Sequence, residues 1–75
     1  MNLNQITPLI LTYNEAPNIQ RTLKNLTWAK QIVVIDSFST DKTIEILKNF
    51  KQVSIFQRQF DSHASQWNYG LNQIK

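Results

Sequence analysis

The chain predicts an α/β fold: a three-stranded parallel sheet with alternating helices, ordered β-α-β-α-β-α. Three observations carry this. There are three short apolar runs, each is followed by a helix-period pattern, and the runs lack the alternation of a half-exposed strand. The first run is ITPLILT, Ile6 to Thr12, where Pro8 donates no ladder hydrogen bond and so belongs at the strand's very start. The second is IVVID, Ile32 to Asp36, and the third is VSIF, Val53 to Phe56. Between the first two, Ile19, Leu23 and Leu26 share one helical face, with Pro17 suited to the first turn. After the second run, Ser39 is the expected N-cap and Asp41 the first-turn acid, followed by Ile44, Ile46, Leu47 and Phe50. After the third, Ala64, Trp67, Leu71 and Ile74 form an apolar stripe on a helix capped near Ser62.

Size and composition limit the function classes. With 75 residues the chain forms a single domain at most, and at that size roughly 60% of the unfolded surface is buried. The absence of cysteine excludes disulfides and thiolate metal sites. The net charge of +3 comes from singly scattered cations, which does not fit a nucleic-acid binder with a clustered basic face. No apolar run approaches a membrane span and no signal-peptide pattern follows Met1, so a cytoplasmic chain is expected. The mild basicity leaves room for peripheral association of a full-length protein with the inner membrane. A three-stranded sheet has two bare edges, which allow self-association.

Ligands of open parallel sheets bind beyond the carboxyl ends of the strands. Two polar clusters fall there: TYNE, Thr12 to Glu15, and DSFSTD, Asp36 to Asp41. They offer an aromatic face at Tyr13, an amide at Asn14, carboxylates at Glu15, Asp36 and Asp41, and hydroxyls at Ser37, Ser39 and Thr40. Carboxylates accept from ribose hydroxyls or base N–H groups, and an aromatic ring stacks on a base. Each residue taken singly also fits a turn or a cap. The two clusters at neighbouring strand ends together favour a ligand. Gly70 is the only glycine, which excludes the P-loop and the glycine-rich dinucleotide turn.

LILTYNEAPNIQRTLKNL followed by QIVVIDSFSTDKTIEIL resembles the start of a family 2 glycosyltransferase of the GT-A fold, and SQWNYGL is similar to a later element of that family. The variant TWAKQIVVIDSFSTD, with Trp28 and Ser37, resembles a bacterial branch that includes lipopolysaccharide-core glycosyltransferases. The resemblance implies that residues 1–75 are the Rossmann-like, nucleotide-sugar-binding part of an inverting enzyme. The donor would be a UDP-sugar and the acceptor a bacterial glycan or lipopolysaccharide. It places Thr12, Tyr13, Asn14, Glu15, Asp36, Ser37 and Asn68 at the nucleotide. Arg58, which follows the third strand, joins them as a base or phosphate contact.

Two departures stand out. Many relatives carry aspartate where this chain has Ser37, which changes what the base meets. The family's Asp-x-Asp motif, which binds Mn²⁺ or Mg²⁺, and its catalytic base are absent, so the chain is expected to be a partial domain inactive by itself. A non-catalytic nucleotide-binding or interaction module of the same fold is the alternative. A phosphoacceptor domain built on Asp36 is a third reading. Trp67, on the apolar stripe, is expected in the core. Asp61 and His63 are too few for a closed metal site, and a helix-capping loop is the expected role of that segment.

Overall fold

The computed structural model describes residues 6–74, so Met1 to Gln5 and Lys75 lie outside it. The element order is β1 (Leu9–Thr12), α1 (Ala16–Lys24), β2 (Ile32–Asp36), α2 (Thr43–Leu47), β3 (Val53–Gln57) and α3 (His63–Gln73). The three strands form one parallel sheet in the order β1-β2-β3, which is the expected fold. β1 starts one residue after Pro8, whose carbonyl accepts from the Val33 N–H at 2.9 Å although its nitrogen can donate nothing.

All five residues of β2 are buried, which is why this run carries no polar alternation. Register sets the two faces. Ile10 pairs with Val34, which pairs with Ile55, so these side chains share one side of the sheet. Ile19 and Leu23 of α1 and Leu47 of α2 pack on that side against Ile32 and Val34. α3 covers the opposite side. A Cβ on Gly70 would meet Leu9 Cδ1 at 2.6 Å and Ile35 Cγ1 at 3.2 Å, so this helix approaches the sheet closely at its glycine.

Two expectations are corrected. The face that α3 turns to the sheet carries Gln66 and Gly70, both buried, while Trp67 is 43% and Leu71 58% exposed. Close approach and hydrogen bonding of Gln66 override the apolar stripe in orienting the helix, and Trp67 is not a core residue. α2 begins at Thr43, so Ser39 is not its N-cap. Ser39 is held away by Asp36, to which it donates through both its backbone N–H and its hydroxyl. The cap of α3 is at Ser62 as expected, with its hydroxyl accepting from the Ser65 N–H at 3.1 Å.

Leu23 is fully buried. Leu23→Ala should lower the unfolding free energy by about 2–5 kcal/mol in urea titration. Leu71→Ala should change it by no more than about 0.5 kcal/mol. The reverse order would mean that the apolar stripe of α3 faces the sheet.

Candidate functional site

Asp36 ends β2, and its carboxylate is fully buried and fully occupied. One oxygen accepts from Thr12 Oγ1 at 2.6 Å and from Ser39 Oγ at 2.5 Å. The other accepts from the Ser39 N–H at 2.8 Å and from Gln57 Nε2 at 3.4 Å. These four donors fill the acceptor sites of a carboxylate. Asp36 thus ties together the ends of all three strands and presents no open oxygen, which removes the phosphoacceptor reading. Thr12, also buried, is spent on the same bond.

The two polar clusters meet, as their strand ends require. They meet by bonding to each other. Asn14 holds a left-handed backbone (φ 53°), a conformation its short polar side chain tolerates. Its carbonyl oxygen accepts from the N–H of Thr40 at 2.8 Å and of Asp41 at 3.3 Å, and its own N–H donates to Ser39 Oγ. Glu15 acts through its backbone, donating to Thr43 Oγ1 at 2.9 Å. Asp41 serves two helices. Its Oδ2 accepts from the Ala16 N–H that opens α1, and its Oδ1 from the Thr43 N–H that opens α2. Pro17 has no N–H, and those of Asn18 and Ile19 reach the Glu15 carbonyl, so the first turn of α1 is satisfied. The Thr43 hydroxyl and the two helix N–H groups hold the Asp41 carboxyl below the ordinary value of 3.8.

What stays open lies on the α3 side of the sheet's carboxyl edge. A cleft of about 540 Å³ is lined by Tyr13, Ser37, Gln59, Phe60 and His63. Tyr13 is 57% and Phe60 46% exposed, so both rings offer free faces. Phe60 meets the His63 ring edge-on at 5.1 Å between centroids. Behind the cleft, Gln66 links its wall to the third strand end. Its Nε2 donates to Ser37 Oγ at 3.0 Å and to the Arg58 carbonyl at 3.3 Å, and its Oε1 accepts from Arg58 Nη1 at 2.9 Å.

Of the expected ligand residues, the cleft gathers Tyr13 and Ser37. Arg58 is engaged behind it by an ion pair with Asp61 at 3.0 Å and by stacking of its guanidinium over the Tyr69 ring at 5.7 Å. The Arg58 guanidinium in turn holds the Asp61 carboxyl below its usual range. Asn68 is exposed, and two helical positions from both Gln66 and Gly70 turn it about 200° away from the face on the sheet. Gln59, Phe60 and His63, which line the cleft, and Gln66, which backs it, were not among the expected residues. The signal for Gln66 was its spacing of four from the single glycine, since an isolated helical glycine marks a close approach. Among the described residues no three His, Cys, Asp or Glu side chains converge as metal ligands. No helix among them is long and apolar enough to cross a membrane.

The parallel, Rossmann-like sheet with an open cleft at its carboxyl edge places the chain among the α/β folds. Residues 8–75 match the family model described as glycosyl transferase family 2, and the chain belongs to that family. It is 34% identical over 71 residues to the SPbeta prophage-derived glycosyltransferase SunS of Bacillus subtilis (strain 168), and equally to glycosyltransferase SunS of Bacillus phage SPbeta. The alignment covers 92% of this chain and 16% of each relative, so the chain spans about a sixth of their length. No solved structure matches it significantly.

Asn14→Gly and Asn14→Ala both remove the bridging carbonyl, but alanine keeps a Cβ in the left-handed region without the local hydrogen bonds that let asparagine adopt it, whereas glycine occupies that region freely. The alanine variant should be less stable than the glycine variant by about 1 kcal/mol in denaturant titration. A depressed carboxyl supplies stability that is complete above 3.8 and is lost as pH falls through its folded-state value. The melting temperature of the native sequence should therefore drop more steeply below about pH 4 than that of Asp41→Asn. Parallel curves would deny Asp41 its double capping role.

Proposed function

We propose that this chain is the nucleotide-binding portion of an inverting, nucleotide-sugar-dependent glycosyltransferase. The observation that carries the reading is the cleft at the carboxyl edge, with exposed Tyr13 and Phe60 rings and the Ser37 hydroxyl between the strand ends and α3. Two exposed rings suit a nucleobase, which stacks on an aromatic face and is fixed in the plane by a hydrogen bond. The donor we assign first is a UDP-sugar. The acceptor we assign is a bacterial glycan or lipopolysaccharide-type molecule, on the resemblance around Trp28 and Ser37. Peripheral membrane association of the full-length protein and pairing through the outer edges of β1 and β3 belong to the same proposal.

In an inverting transfer the acceptor's nucleophile bonds to the anomeric carbon as the nucleoside diphosphate leaves from the opposite face, and a base takes the acceptor's proton. The role of these residues is to hold the leaving nucleotide. Asp36 is saturated, Asp41 is committed to two helix starts and Asp61 to Arg58, so none is free as that base. The Mn²⁺ or Mg²⁺ that the resemblance implies does not fit this donor set, because no ligand cluster exists among the described residues. Transfer therefore needs groups beyond these. The engagement of the three aspartates favours the second reading, a non-catalytic nucleotide-binding module.

Titration of the labelled 75-residue chain with UDP should shift the NMR signals of Tyr13, Ser37 and Phe60 without sugar transfer from UDP-sugars. Tyr13→Ala should weaken UDP binding by about tenfold or more. Sugar transfer by the isolated chain would overturn the division of labour. Unmoved cleft signals would overturn nucleotide binding.

A further inference from the structure

Gln66 is a buried polar residue with its side-chain polar atoms partnered, and its side-chain hydrogen bond to the cleft lining goes to Ser37. Arg58 decides which way its amide points. A guanidinium has no acceptor, so the amide group facing Arg58 Nη1 must be the oxygen. The amide nitrogen is thereby turned to Ser37 Oγ, 3.0 Å away, and can only donate to it. Asp61 holds the guanidinium in turn through two contacts, at 3.0 and 3.3 Å. The orientation therefore runs from Asp61 through Arg58 and Gln66 to Ser37.

The consequence falls on the Ser37 proton. A hydroxyl has one proton and two lone pairs. Gln66 occupies one lone pair, and among the described residues no acceptor takes the proton. Ser37 lines the cleft, so that proton is available to whatever enters it. Resting on the nucleotide-binding reading, we infer that Ser37 keeps its proton for the nucleobase and that Gln66, by donating to Ser37 rather than accepting from it, is the positioning residue that leaves that proton free. That proton meets an acceptor atom of the base, a uracil carbonyl oxygen or the ring N3 of cytosine. A carboxylate at position 37 would require an N–H instead and would reject that ring nitrogen. The site of this chain consequently takes both pyrimidine nucleotides.

The test is calorimetric titration of the chain and its variants with UDP and with CDP. The native sequence should bind the two within about threefold, because each offers an acceptor. Ser37→Asp should prefer UDP by about tenfold or more, since its carboxylate would face the cytosine N3 lone pair. Ser37→Ala should weaken both nucleotides alike. Gln66→Glu keeps the volume and the Arg58 partner but accepts the Ser37 proton, so it should shift the preference towards UDP; a merely structural Gln66 would weaken both equally. Circular dichroism establishes that each variant is folded, and Ser37→Asp and Ser37→Ala carry the test if Gln66→Glu is not. A native preference for UDP above tenfold that Ser37→Ala abolishes would overturn the donor assignment. Binding insensitive to Ser37→Ala would remove the residue from the base contact, leaving nucleotide binding intact. Absence of binding by either nucleotide overturns the nucleotide-binding reading and this inference with it.

Discussion

The carboxylate of Asp36 is where the three strands are made to end together. It is fully buried and takes hydrogen bonds from Thr12 on β1, from Ser39 just beyond β2 and from Gln57 on β3. A buried carboxylate is costly unless its acceptor sites are met. Here they are met from both neighbouring strands, so the same contact that satisfies the charge also aligns the edge. The loops beyond the edge inherit that alignment. Ser39, fixed by Asp36, accepts from the backbone of Asn14, and Asn14 in turn accepts from Thr40 and Asp41. Asp41 then opens both α1 and α2. One acid thus organises the strand ends and another the helix starts, with Asn14 between them.

This arrangement sorts the polar residues of the two clusters by task. Thr12, Asn14, Asp36, Ser39 and Asp41 face one another and build the edge. Tyr13 and Ser37, their neighbours in sequence, point to the other side of the sheet, where α3 leaves a cleft. Continuing the strand's alternation makes the division: adjacent residues leave on opposite faces, so an edge-building residue and a cleft-lining residue can sit side by side. Phe38 completes the crossing with a left-handed backbone (φ 57°), which carries the chain from Ser37 to the Asp36 side at Ser39.

The element order was legible because apolar runs and helix-period spacing are local signals. Pro8, Pro17 and Ser62 marked their boundaries for the same reason. Ser39 was misread because a serine before a helix looks like a cap, whereas its N–H and hydroxyl go to Asp36 and its oxygen accepts from Asn14, 25 residues away. The face of α3 was misread because hydrophobicity alone put Trp67 and Leu71 inward. Packing obeyed the closeness that Gly70 permits and the partners that Gln66 finds. The place of Tyr13 and Ser37 at the carboxyl edge could be read from their position after apolar runs. That of Gln59, Phe60 and His63 could not, because what brings them to the cleft is the path of the loop from β3 into α3, which carries no local motif.

The lining of the cleft contains no Asp, Glu, Lys or Arg. The chain's surplus of positive charge is spread elsewhere on the surface, and Arg58 is neutralised by Asp61. Mobile ions largely screen exposed net charges more than about 10 Å apart at moderate ionic strength, and they have little hold on stacking or on a neutral hydrogen bond. Whatever binds between Tyr13, Ser37 and Phe60 is therefore gripped by forces nearly indifferent to added salt. On the proposed nucleotide-binding reading, any salt dependence of affinity would report on where the phosphates lie rather than on how the base is held.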